Sequence, residues 1–384
     1  FLKQALPLSP SHIICPVFQT NSHAEYTRLD LKMDVARRVI SPNLSAARNS
    51  LARKMSSLTS GHVLRGACWN YRVLEPVKGD NTHISTVFKA QIVARDSRVV
   101  PEVPEWALIK VASPSDQNAT KNLQREVLTY RLPDVASAKC FRKMYDVIDD
   151  STIALEWLDT TLAEVEYHPD IRTYSLIGTL LRAAFTSCVV LENHRHVNTD
   201  YKPANILLSG IRTDRAIAKV GDLGLVVPVG ELFNAQPYAM RAPEVFLGNA
   251  CTEPSQVWAV AAMLLCWIKP GVLGVWDSPH PLINEAWSMA KIQRLFPHWE
   301  IPPPEMVNGD ILKVAVNSAR SLCKEMPELL AILPFDEETQ KVEMPQQLRD
   351  LLRFILVPDP KARPSASSVL ASREFRRFEN YVDV

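Results

Sequence analysis

The pattern of apolar and polar positions divides this chain near residue 158. Ahead of that point the period is mostly two. Residues 86–93 and 106–111 predict strands, with Pro101 and Pro104 marking a loop between them. Residues 144–148 and 153–157 predict two more, folded around a turn at Asp149 and Asp150. Between the two pairs, 118–132 has helical spacing, with Leu123, Val127 and Leu128 on one side. Past residue 158 helices dominate, and 180–191 and 257–268 are the clearest apolar runs. There 206–208 predicts a short buried strand and 216–220 the strand that returns after a turn. Residues 1–68 have little periodicity. The expected organisation is a flexible extension (1–68), a β-rich lobe (69–158) and a larger helical lobe (159–384), with a cleft between the lobes.

The short hairpin in the helical lobe carries the chemistry. Asp200, Lys202 and Asn205 precede it in Thr199-Asp200-Tyr201-Lys202-Pro203-Ala204-Asn205, and Asp222 follows it in Gly221-Asp222-Leu223-Gly224. Either acid alone reads as an ordinary turn residue. Together the four offer a base, a fixed positive charge, a neutral oxygen ligand and a carboxylate, which suits magnesium-assisted phosphoryl transfer. Asp200 is placed to orient or deprotonate a hydroxyl, and Lys202 to neutralise the transferred phosphate. Asn205 and Asp222 supply hard oxygens for a hard cation.

Composition narrows the classes. A net charge of +1 gives no global signal for nucleic acid or an acidic membrane surface. The seven cysteines are scattered without a Cys-x-x-Cys pair, which fits reduced thiols in an intracellular protein, cytoplasmic or nuclear. The most apolar run, 257–268, is about half the length of a membrane helix, so no span is expected. Residues 35–67 are rich in Arg and Ser and hold no acid, as in mitochondrial targeting segments. The run is internal and follows Asp30 and Asp34, which favours a basic extension instead.

In motif order, from Tyr71 to Phe378, the chain resembles the eukaryotic protein kinases. Lys110 ends Leu108-Ile109-Lys110 as the ATP-phosphate lysine does, and Glu126 on the next helix is its implied ion-pair partner. Asp200, Lys202 and Asn205 match the catalytic loop, and Asp222-Leu223-Gly224 the magnesium-binding triplet. Ala242-Pro243-Glu244 matches the end of the activation segment, and Arg363 the arginine that pairs structurally with Glu244. The resemblance implies a bilobal α+β fold, ATP and Mg2+ as cofactors, and a protein substrate. It also implies base contacts near Val87, Leu108, Glu156 and Leu158, with Leu155 at the rear and Leu207 as floor. The wording Thr199-Asp200-x-Lys202-Pro203 resembles the serine/arginine-rich-protein kinases, which implies an Arg/Ser-rich substrate; a monomer is expected.

The departures from the family are as informative. The three glycine positions of the phosphate-covering loop hold Asp80, Thr82 and Ser85, with only Gly79 nearby. Leu108 replaces a small residue beside the base. Pro237 replaces a threonine that bonds the catalytic Asp and Lys. Gln256 replaces an acid that holds the catalytic-loop backbone, keeping hydrogen-bonding capacity without charge. Asn198 replaces a histidine, and Thr199 the arginine that reads a phosphorylated activation segment.

Two functions follow: an active protein serine/threonine kinase, and a pseudokinase scaffold with weak or no turnover. The retained charged groups favour the first, and the altered loop, Leu108 and Pro237 the second. Between Asp222 and Glu244 there is no Ser or Thr, and Tyr238 is the only hydroxyl. Phosphopeptide mapping should therefore find no activating phosphate in this segment; one on Tyr238 that raised activity would contradict the expectation.

Overall fold

The computed structural model describes residues 58–77, 85–94, 104–213, 215–231, 236–325 and 331–383. The first lobe is built on strands β1 (Val63–Arg65), β2 (Asn70–Pro76), β3 (Ser85–Val93), β4 (Trp106–Ala112), β5 (Met144–Asp149) and β6 (Thr152–Glu156). Among the described residues these form one antiparallel sheet in the order β1-β2-β3-β4-β6-β5. Strand β4 is central and buried on both faces, which explains why its sequence is nearly all apolar. Its Ala107, Ile109 and Val111 pack outward with Tyr71, Ile92 and Ala154. Leu108 and Ala112 pack inward with Leu123 and Leu155. Lys110 has the inward parity, so strand geometry aims it at the lobe interface. There lies helix α1 (Gln117–Tyr130), capped by Asp116, whose carboxylate accepts from Asn118 N at 2.8 Å and Ala119 N at 3.0 Å. A short helix α2 (Pro133–Ser137) follows.

Strand β1 lies within the stretch expected as an extension. What holds this stretch is a carboxylate. Asp146 on β5 is buried and accepts from the backbone N–H groups of Ala67 (3.0 Å), Cys68 (3.0 Å) and Trp69 (3.4 Å) and from the Tyr71 hydroxyl. Burial and the Asp146 carboxylate push the Tyr71 phenol pKa far up, keeping it a neutral donor. Gly66 is required for so close an approach, since a Cβ there would lie 2.4 Å from Asp146 Oδ2. Leu58, Leu64 and Trp69 then cover the sheet's outer face. The remainder of the extension, and Gly79, Asp80 and Thr82 of the phosphate-loop region, lie outside the described residues; Ser85 opens β3.

The second lobe contains β7 (Thr160–Thr161), α3 (Ile171–Asn193), β8 (His196–Asn198), β9 (Ile206–Ser209), β10 (Ile217–Val220) and β11 (Val226–Pro228). Its further helices are α4 (Pro243–Phe246), α5 (Glu253–Ile268), α6 (Asn284–Leu295), α7 (Asp310–Glu325), α8 (Phe335–Gln340), α9 (Gln346–Ile355), α10 (Ala366–Ala371) and α11 (Arg373–Val382). Helix α5 is buried almost from end to end and forms the centre of the core with α3. At 23 residues, α3 is long and apolar enough to cross a membrane, contrary to the expectation from apolar runs. Arg172 and Arg182 shorten its uninterrupted run. In the fold it packs against α5, α10, α11 and β10 as a core helix. No disulfide joins the cysteines among the described residues.

The chain passes between the lobes at 157–159, and backbone bonds join them beside it. Arg142 N donates to Val220 O (3.0 Å), and Val220 N to Cys140 O (2.7 Å). The root of β5 is thereby tied to the strand that carries Asp222.

The Asp146→Ala variant would leave several buried donors unmatched. We expect a loss of about 3 kcal/mol, read as a lowered urea midpoint. An unchanged midpoint would remove Asp146 from the stabilising contacts of this lobe.

Candidate active site

Hairpin β9–β10 pairs Ile206 with Val220, so the residues at its open end become neighbours. Gly221 N donates to Asn205 O at 2.9 Å. The catalytic-loop run and the Asp222 turn therefore emerge side by side.

The loop before β9 is held from below. Gln256 on α5 accepts from Asn198 N at 3.2 Å, and Asn198 Oδ1 accepts from Asp200 N at 2.9 Å. Gln256 thus keeps the backbone-holding contact without a charge. Asp200 is buried and lies 3.3 Å from Lys202 Nζ. Asn205 Nδ2 donates to Asp200 O and Oδ2, both at 2.9 Å, which turns its amide oxygen to the opposite side. Thr199 Oγ1 donates to Leu225 O at 2.8 Å, tying the loop to the segment beyond Gly224.

Lys110 Nζ donates to Glu126 Oε2 at 2.7 Å and to Asp222 Oδ1 at 2.9 Å. Lys110 is 9% exposed and Glu126 is fully buried. Burial opposes the lysine's charge, but Asp222 and Glu126 outweigh it and its pKa is raised. Burial raises the Glu126 carboxyl, and Lys110 opposes that shift. Asp222 sits in the left-handed region at φ 53°, a conformation Asp tolerates better than most residues. Helix α1 is locked to this turn by Arg125 Nη1, which donates to Gly224 O at 2.7 Å.

The expected base-contacting residues fall on the same side. Val87 pairs with Lys110 across β3–β4, and Leu108 with Leu155 across β4–β6. Leu108, Leu155, Leu158 and Leu207 are all buried. Gly221 leaves room for Leu207, since a Cβ there would lie 2.5 Å from Leu207 Cδ1.

Glu156 is more heavily engaged than expected. Its carboxylate accepts from Lys219 Nζ at 2.7 Å through both oxygens, and from Lys143 N at 3.0 Å. Its carbonyl accepts from Arg142 Nε at 2.6 Å. Arg142 is a site residue that sequence reasoning missed: beside Lys143 it reads as a surface charge, yet it is buried. Burial lowers its pKa, opposed by Tyr130, Glu126, Glu156 and Asp222 nearby.

Glu244 and Arg363 lie away from this cluster and meet as a bidentate pair at 2.7 and 3.0 Å. Arg363 also donates to the carbonyls of Val357 (2.7 Å), Pro254 (2.7 Å) and Pro358 (3.0 Å), so all five of its N–H groups are used. Pro237 is half-buried, and Tyr238 lies under the Arg241 guanidinium, 4.6 Å from its ring centre.

Among the described residues no group of three His, Cys, Asp or Glu suits a metal ion. Magnesium does not require one, since one or two carboxylates with water and phosphate suffice. Asp222 with the Asn205 amide oxygen fits that demand.

No protein-family model matches the chain. It is similar to the stress-activated protein kinases JNK of Suberites domuncula and Drosophila melanogaster, each 25% identical. These matches cover 60% and 58% of this chain and 62% and 58% of the relatives. The stress-activated protein kinase jnk-1 of Caenorhabditis elegans is 26% identical over 69% of this chain and 58% of its own. The fold is that of a bilobal protein kinase. The matched part of this kinase-fold chain spans about three-fifths of the length of those curated relatives. These three relatives are stress-activated kinases and give no support to the finer serine/arginine-rich-protein kinase subgroup expected from Thr199 to Pro203.

Removing one partner of the Glu244–Arg363 pair strands a buried charge. Arg363→Ala should cost about 3–5 kcal/mol in denaturant unfolding. The cost of the Glu244→Ala, Arg363→Ala double variant should fall below the sum of the single ones. Strict additivity would mean the two side chains are not coupled.

Proposed function

We propose that this chain is a protein serine/threonine kinase that transfers the γ-phosphoryl group of a nucleoside triphosphate, ATP on the family's pattern, to a protein hydroxyl. The observation that carries this reading is the lysine held at once by Glu126 and Asp222, beside the Asp200–Lys202–Asn205 cluster. Phosphoryl transfer depends mainly on positioning and on charge stabilisation, and the contacts among these groups support that reading.

In this reading Asp200 accepts or orients the substrate hydroxyl proton. Lys202, 3.3 Å from Asp200, offsets charge on the transferred group. Lys110 holds the nucleotide phosphates, kept in register by Glu126. Asn205 and Asp222 would hold Mg2+, which neutralises charge along the phosphate chain. The apolar side chains of Leu108, Leu155 and Leu207 would line the side of the cleft that takes the base. The substrate is a protein; the expected Arg/Ser-rich preference and monomeric state draw no support from the relatives.

A pseudokinase is the second reading. It is favoured by Arg142, whose Nε already donates to the Glu156 carbonyl in the stretch where base contacts were expected. The relatives' names speak of activation by stress. In this chain the stretch from Asp222 to Glu244 lacks Ser and Thr, so phosphate-driven switching there is not carried over.

The deciding assay uses the protein with saturating labelled Mg·ATP and a mixed protein substrate, beside Asp200→Ala. We expect phosphate incorporation to fall by roughly 100-fold or more in the variant. Equal incorporation in both would leave the scaffold reading.

A further inference from the structure

Arg142 points to which nucleobase the cleft takes. The argument rests on the reading above, that a nucleoside triphosphate sits in the cleft with its base edge at Glu156.

Three observations combine. First, the Glu156 carbonyl accepts a 2.6 Å hydrogen bond from Arg142 Nε. An adenine at that edge presents its 6-amino group, which needs an acceptor. Here the acceptor is engaged, and the group beside it is a guanidinium, which only donates. Second, Arg142 is 91% buried by its 9% exposure. Among the described residues nothing accepts a hydrogen bond from its two Nη atoms, and neither atom is sealed from solvent. These solvent-reaching donors, beside the bonded Nε, are open to acceptors that a ligand brings. Third, its surroundings keep it in place. Arg142 N is bonded to Val220 O at 3.0 Å, and Tyr130, Glu126, Glu156 and Asp222 all bear on its charge.

We propose that Arg142 reads the base, and that the cleft prefers a purine nucleotide with an acceptor at position 6, guanine or hypoxanthine, over adenine. The 6-oxo group and N7 form two adjacent acceptors. That edge is the one an arginine fork recognises most often in nucleic acids. Lysine, a point charge without the planar fork, would not reproduce the match.

The test is calorimetric titration of the full chain with Mg·GTP, Mg·ITP and Mg·ATP, repeated on Arg142→Val and Arg142→Lys. Thermal melts report whether each variant folds. The expected result is GTP and ITP binding on the order of tenfold more tightly than ATP, with the preference lost in both variants. Because ITP lacks the 2-amino group, its similarity to GTP assigns the preference to the 6-oxo edge. Tighter binding of ATP than GTP by the unaltered chain would overturn the inference and leave the nucleotide reading intact. Binding of none of the three would overturn that reading, and this inference with it. A guanine preference that persisted in a well-folded Arg142→Val variant would overturn the role of Arg142. The comparison on the unaltered chain stands even if neither variant folds.

Discussion

A buried ammonium group joins the two lobes at the heart of the site. Lys110 is fixed by strand parity, Glu126 by helix α1 and Asp222 by a turn of the other lobe, and the three meet within 3 Å. No one of the three elements can shift without leaving a charge unmatched in a poorly solvated place. The surrounding contacts serve that meeting point. Arg125 pins the helix to the turn, and the Arg142–Val220 bond pins the sheet's root to the strand below.

Polarity differs between its two ends. The end at Lys110 and Asp222 keeps the charged residues the kinase resemblance calls for, in mutual contact. The base end does not follow that pattern. A leucine stands where a small side chain is usual, and a guanidinium occupies the connecting strand's carbonyl. On the proposed reading, kinase-like transfer chemistry and an unusual base slot are compatible, because the two ends make separate demands on a nucleotide.

Much of this was legible in the sequence. The strands at 86–93 and 106–111, the helix at 118–132 and the hairpin around residue 212 stand close to where hydrophobic period and turn residues put them. Residues 200–205 and Asp222 come side by side, because a short hairpin forces its two flanks together. Gln256 could be anticipated as a neutral holder of the loop from its place ahead of Val257 and Trp258. What escaped notice was polar and buried. Asp146 sits in a strand whose other residues alternate weakly, and its partners are backbone N–H groups, which sequence does not label. Arg142 escaped for the same reason: its partner is a carbonyl. The strand at Val63–Arg65 has only three residues, too few for a period to show.

The bond from Arg125 to Gly224 makes helix α1 and the Asp222 turn one mechanical unit. A small molecule that needs the turn swung outward would have to drag the helix along and expose Glu126 to a pocket without its counter-charge. Compounds of that kind should discriminate strongly against this chain. Those content with the inward arrangement would meet a preformed wall.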